Sequence, residues 1–196
     1  MKIGDQDTGL ILAAVKFAAD RHRDQRRKGV DAVPYINHPI EVAALLWETG
    51  ATRNASTIVA ALLHDVIEDT KTAPEEIEQL FGSAILSLVL ELTDDKSLPK
   101  AKRKSLQITD APHKSPEAKL IKIADKICNL RDISGRPPKD WSFRRKLDYL
   151  DWSEKVVEGL RGSNAQLEAL FDQTLHACRV TLLEEATTDD IGAPRN

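Results

Sequence analysis

This chain of 196 residues has no apolar run approaching the roughly 18 residues that a membrane-crossing helix needs. A soluble protein with no membrane partner is the expectation. It has two cysteines, Cys128 and Cys178, fifty positions apart. That is too few for a disulfide framework, and buried reduced thiols in a cytoplasmic protein fit better. The opening MKIGDQDTG contains no apolar export segment. No Gly-rich phosphate loop, nucleophile elbow or CxxC pair occurs, which removes support for nucleoside-triphosphate-driven work, serine-hydrolase chemistry and zinc-finger binding. Convincing period-two alternation is absent too, as are internal repeats and heptad runs, so strands and coiled coils are not expected.

What the chain does have is helical punctuation on an ordinary globular composition, 41% hydrophobic and 30% charged. The length fits one domain around a single core. A first helix is expected from Asp7 or Thr8 to near Gly29, through Ile11, Ala14, Ala18 and His22 on one face. Pro39 suits a first helical position, so a second helix starts with His38 at its mouth and ends at Gly50. Asn54 or Ser56 can cap a third, carrying His64 and Asp65. Thr72 with Glu75 has capping-box spacing for a short helix closed by Gly82. Further helices are expected over 83–93, 99–109, 116–133, 142–161 and 164–185, each bounded by Gly, Pro, Ser or Asn. The prediction is an all-α, single-domain bundle of about eight to ten helices over residues 1–186, with a polar, frayed tail at 187–196. The segment ISGRPPKDW reads as a loop near the functional site.

Net charge is −3, which does not suit nucleic-acid binding, yet cations cluster locally. Arg21 to Lys28, Lys100 to Lys104 and Arg144 to Lys146 are three such clusters. They fit a compact polyanion held at one place; each taken singly reads equally well as a solvated helix face.

The chemistry concentrates in four residues: His38, the adjacent His64 and Asp65 inside IVAALLHDVIEDT, and Asp125 inside AKLIKIADKICNL. Imidazole and carboxylate among Ile, Leu and Val are costly to bury uncompensated, and one divalent cation compensates all four. Singly, His38 suits a helix cap and Asp125 a structural salt bridge; together they favour a metal. Manganese, iron, zinc and magnesium all suit such a donor set. On a continuous helix His64 sits over Glu68 and Asp65 over Asp69, so the second acidic pair lies about 6 Å further along, placed to manage the protons of a hydrolytic water. Two carboxylates at a helix C-terminus, opposed by its dipole, need such a reason. Asn129, one turn after Asp125, points the same way. Phosphoester or phosphoanhydride hydrolysis follows.

The pattern H…HD…D resembles the HD metal-dependent phosphohydrolases. HRDQRRK, PYINHPIEVA, ALLHDVIEDT, LTDDKSLPK, APHKSPEAKLIKIADKICNLRD and PPKDW, in that order, resemble the hydrolase domain of Rel/SpoT alarmone enzymes. The closest resemblance is to stand-alone small alarmone hydrolases, over roughly residues 8 to 185. The resemblance implies manganese-dependent removal of pyrophosphate from the 3′ position of ppGpp or pppGpp. His38, His64, Asp65 and Asp125 then match metal ligands, and Glu68 and Asp69 the catalytic acidic pair. Arg27 and Lys28 match the pair bordering the nucleotide, and Tyr35 and Asn129 line the nucleoside pocket. Lys100, Arg145 and Tyr149 match residues near the phosphates. Asp110 departs from the histidine common in the long enzymes. His22 and His113 are expected in supporting or surface roles. Rival readings are a hydrolase of another phosphorylated nucleotide such as NADPH, and a non-catalytic alarmone-binding module. A basic-helix nucleic-acid binder is weaker.

Overall fold

The computed structural model describes residues 4–192, with side chains through 186. Ten α-helices and one 3-10 turn make up these residues: α1 Asp5–Arg21, α2 Asn37–Glu48, α3 Ala55–Leu63, α4 Val66–Asp69, α5 Pro74–Phe81, α6 Ser83–Leu92, α7 Lys100–Asp110, the 3-10 turn Ala111–His113, α8 Pro116–Gly135, α9 Phe143–Glu158 and α10 Ala165–Gly192. Among the described residues there is no strand; two isolated bridges, Arg26 with Pro34 and Gly29 with Pro138, are the only β-type pairings.

Helix α8 is the axis of the bundle, packing against α10, α2, α9, α6 and α3. Its residues from Ile121 to Cys128 are all buried, so it carries Asp125 through apolar surroundings as its sequence implies. Ser115 caps it by accepting from the Ala118 amide at 3.2 Å, with Pro116 in the first turn. Helix α3 is buried from Thr57 to Leu63 against α1, α2 and α6, and Asn54 caps it. Cys128 and Cys178 are free and buried; burial pushes the Cys128 thiol up to about 12, so it is inert at neutral pH.

Several boundaries depart from expectation. Helix α1 stops at Arg21 and not near Gly29. Residues 22–36 instead fold back on themselves, the Arg27 amide donating to Val33 O at 2.9 Å and the Tyr35 amide to Gln25 O at 3.0 Å. Tertiary pairing overrides local preference here, because the Arg27 guanidinium is drawn to Asp132 on α8. Gly29 packs so closely that a β-carbon there would lie 2.6 Å from Arg136 O. The expected capping box at Thr72 and Glu75 is displaced by one: Ala73 is the N-cap, and Glu76 accepts from its amide at 3.0 Å. Gly82 closes α5 at φ 86°, as read from the sequence. Helix α10 carries its backbone through Gly192, past the boundary expected at residue 186; the rest of the expected tail, 193–196, lies outside the described residues.

The α8–α10 seam gives a stability prediction. Leu130 is fully buried and its carbonyl accepts from Cys178 of α10. Leu130→Ala should cost about 2–5 kcal/mol, read as a lower urea midpoint with an unchanged denaturant slope.

Candidate active site

His38 enters the site from the first turn of α2, and Asp125 from the middle of α8. His64 and Asp65 come from a break between α3 and α4, where the sequence suggests one continuous helix. The break has a physical use. Consecutive side chains on an α-helix diverge by about 100°, whereas the turn at Asp65 (φ −103°, ψ −3°) lets two neighbours converge.

His64 Nε2 lies 3.0 Å from Asp65 Oδ2 and 3.9 Å from Asp125 Oδ1. His38 Nε2 lies 3.1 Å from Asp125 Oδ1 and 4.0 Å from Asp65 Oδ2. His38, His64 and Asp65 each offer one ligand atom within 4.8 Å of the others, and Asp125 faces both imidazoles. The His64 ring donates from Nδ1 to Ala61 O at 2.7 Å, which in the neutral ring turns the Nε2 lone pair toward carboxylate oxygens. That nitrogen is buried and makes no hydrogen bond. Lone pairs facing one another across 3 Å in a desolvated place need a proton or a cation between them. The donor set and its spacing therefore fit a divalent metal ion.

Without a cation a proton does the work. Burial opposes a charge on His64, but Asp65 and Asp125 outweigh it and hold its pKa up at about 9. Burial also opposes charge on Asp65 and Asp125, yet His64 and His38, with Lys126 beside Asp125, keep both carboxyls below the usual carboxylate range. His38, more purely subject to burial, is pushed down.

Both carboxylates are aimed by neighbours, whereas His38 Nδ1 is buried with no hydrogen-bond partner. The Tyr35 hydroxyl donates to Asp65 Oδ2. Asn129 donates to Asp125 Oδ1 at 2.6 Å and Lys126 to Asp125 Oδ2 at 2.9 Å. Arg27 donates to Asn129 Oδ1 at 2.8 Å and pairs with Asp132, which links the basic loop after α1 to the α8 carboxylate. Such outer contacts fix ligand orientation.

A cleft opens over this cluster in two joined lobes. The larger, about 450 Å³, is lined by His38, His64, Asp65, Asp125, Glu68 and Asp69, and by the cations Lys28, Lys96, Lys100, Arg103, Lys104 and Arg145. The smaller, about 240 Å³, lies between Arg27, Ile133, Pro138 and Trp141. Lys28, Tyr35, Asp69, Asn129, Trp141 and Tyr149 line both. Every site residue expected from the sequence thus borders this cleft. Arg145 stacks over Trp141 at 4.5 Å, and Tyr149 packs between Trp141 and Trp152. Burial, with Arg145, Lys28 and Arg103 nearby, pulls Lys100 down, which reports cations crowded round one space. Glu68 Oε2 accepts from the Asp94 amide at 3.0 Å, and its partial burial near Asp94, Asp65 and Asp69 raises its pKa. Asp69 accepts from Gln25 at 2.9 Å and pairs with Lys96.

Sequence reasoning missed Gln25, Lys96, Asp132 and Trp141 as lining residues. Trp141 lay within the loop expected near the site, and Lys96, Gln25 and Asp132 each within a segment quoted for the resemblance, but none of them was singled out there. Asp110 and His113 are exposed at the 3-10 turn. His22 is buried beside Tyr35, ring centroids 4.9 Å apart.

A helical bundle that gathers His and Asp in this way defines a class: the chain belongs to the HD-domain family, whose model matches residues 14–149. Within the class, the chain is 50% identical over 166 residues to the guanosine-3′,5′-bis(diphosphate) 3′-pyrophosphohydrolase MESH1 of Xenopus tropicalis, covering 85% of this chain and 93% of that one. To the human MESH1 it is 51% identical over 158 residues, covering 81% and 88%. The solved structure of a metazoan orthologue of SpoT, reported to hydrolyse ppGpp, superposes with TM-score 0.84 at 45% identity, covering 86% of this chain and 94% of that one.

The protonation pattern generates a test. A divalent ion entering the cluster must displace the His64 proton, so loading near pH 7 should release protons. Apparent affinity should rise with pH and level off above about 9. Calorimetric manganese titrations in buffers of different ionisation enthalpy check this; heats independent of buffer would contradict it.

Proposed function

We propose that this chain is a metal-dependent hydrolase that removes the 3′-pyrophosphate of ppGpp or pppGpp, yielding GDP or GTP and free pyrophosphate. One observation carries the reading: a single cleft joins a His/Asp donor cluster to a crowd of cations and to a recess walled by Arg27 and Trp141. A purine nucleoside bearing several phosphates has matching parts. Curated relatives about half identical to the chain carry that activity in their names.

In this reading His38, His64, Asp65 and Asp125 hold the ion, with manganese preferred. When bound, the ion supplies Lewis acidity toward a phosphate oxygen. The chain's own residues do the rest. Glu68 and Asp69 accept and return protons beside the scissile phosphoester, and the partial burial that raises the pKa of Glu68 favours its holding a proton. Lys28, Lys100 and Arg145 stabilise charge gathering on the departing pyrophosphate. Arg27, held flat by Asp132 and Asn129, offers a planar face to the base, with Tyr35, Asn129 and Tyr149 shaping the nucleoside recess. The substrate is a small nucleotide and not a nucleic acid, and the setting is the cytoplasm.

Metal-stripped protein given ppGpp should be inert until manganese is added, and should then release GDP and intact pyrophosphate. Orthophosphate release, or turnover indifferent to chelation, would refute the proposal; orthophosphate from NADPH would support the rival nucleotide. Two substitutions should divide the labour. Asp69→Asn should lower kcat by roughly 10²–10³-fold, whereas Arg27→Ala should act mainly by raising KM. Steady-state kinetics of both variants against one substrate series checks the division.

A further inference from the structure

His22 and Gln25 take no part in the proposed chemistry, yet they form a chain of hydrogen bonds that ends on Asp69. His22 is 1% exposed at the end of α1, and its Nδ1 lies 2.6 Å from Gln25 Oε1. Gln25 Nε2 then donates to Asp69 Oδ2 at 2.9 Å. The polarity of this chain is forced. An ionised carboxylate only accepts, so the amide nitrogen of Gln25 must face Asp69 and its oxygen must face His22. His22 must therefore carry its hydrogen on Nδ1. Its Nε2 is buried with no partner.

The same ring packs on Tyr35, whose hydroxyl donates to Asp65. One imidazole thus braces two carboxylates of the site along separate routes. The Gln25 backbone is itself pinned, since its carbonyl accepts from the Tyr35 amide at 3.0 Å. Asp69 is consequently held from within by Gln25 through Oδ2, while Oδ1 meets Lys96, a half-exposed cation lining the cleft. Oδ1, paired with Lys96, is the oxygen turned toward the cations of the larger lobe.

We infer that His22 and Gln25 are positioning residues that orient the Asp69 carboxylate, fixing Oδ2 and presenting Oδ1 to the cleft. The inference rests on the proposed hydrolysis and on Asp69 taking part in it. Removing the His22 donor frees the Gln25 amide to turn over, which swaps the bond to Asp69 for a repulsion between oxygens. Losing an orienting contact of this kind lowers activity by about 10–100-fold while leaving substrate contacts in place.

The test compares His22→Leu, His22→Asn and Gln25→Glu in manganese-loaded protein hydrolysing ppGpp. Leucine at 22 should lower kcat roughly tenfold or more with KM little changed, and asparagine, whose amide nitrogen reproduces the Nδ1 donor, should recover most of it. Gln25→Glu sets a carboxylate against Asp69, so the acid limb of the kcat–pH profile should move up by about one unit. Nitrogen-15 NMR of the wild type should find His22 in the Nδ1-protonated tautomer, a readout independent of turnover and still available should the leucine variant not fold. Equal losses in the Leu and Asn variants, an unmoved pH profile in Gln25→Glu, or an Nε2-protonated His22 would overturn the inference. A wild type inactive on ppGpp overturns the proposed function and this inference with it; an active wild type with an unaffected leucine variant overturns this inference alone.

Discussion

Two imidazoles and two carboxylates from separate parts of the chain face one another in an apolar interior. Held without water, such groups are stable only if a positive charge lies among them. The rest of the architecture follows from that requirement. Helix α8 passes through the middle of the bundle and brings Asp125 to the cluster, α2 begins where His38 can enter, and the helical path between Leu63 and Val66 is broken so that neighbours converge. The ring of cations across the cleft suits a substrate much more negative than the cluster itself, which explains how an acidic protein can present a locally basic surface.

The outer contacts divide into two systems meeting at this cluster. One runs from Asp132 through Arg27 and Asn129 to Asp125, and joins the loop after α1 to the central helix. The other runs from His22 through Gln25 to Asp69, with Tyr35 branching to Asp65. Residues 22–36 therefore serve both. This accounts for why a segment rich in charge, which a helix could have absorbed, instead folds back as a pinned loop: its guanidinium, amide and phenol are needed at three different carboxylates. Gly29 lets that loop close against the segment carrying Trp141, as its bridge to Pro138 attests.

Much of the fold was legible because helix limits are set by local chemistry. Asn54, Ser115 and Ser142 cap helices, and Gly82 ends one, through groups within a few residues of each other. The ligand candidates were legible for a related reason, since charge is conspicuous inside apolar runs. The end of α1 and the break at His64 were not legible. Both are imposed by partners 61 and 105 positions away, Asp125 for His64 and Asp132 for Arg27. The cap at Ala73 was missed by one residue because its acceptor, Glu76, has a neighbour of the same kind in Glu75.

By itself, then, the sequence determined the all-α class, the approximate number and extent of the helices, and the residue types able to hold a cation and a polyanion. Periodicity and capping act over a few residues, and burying a charge is costly in any fold. Only the tertiary structure decided that His38, His64, Asp65 and Asp125 lie within 4 Å of their partners, that Trp141 walls the recess, and that Gln25 reaches Asp69. Those facts depend on how helices pack around α8, and packing brings together residues that share no local signal.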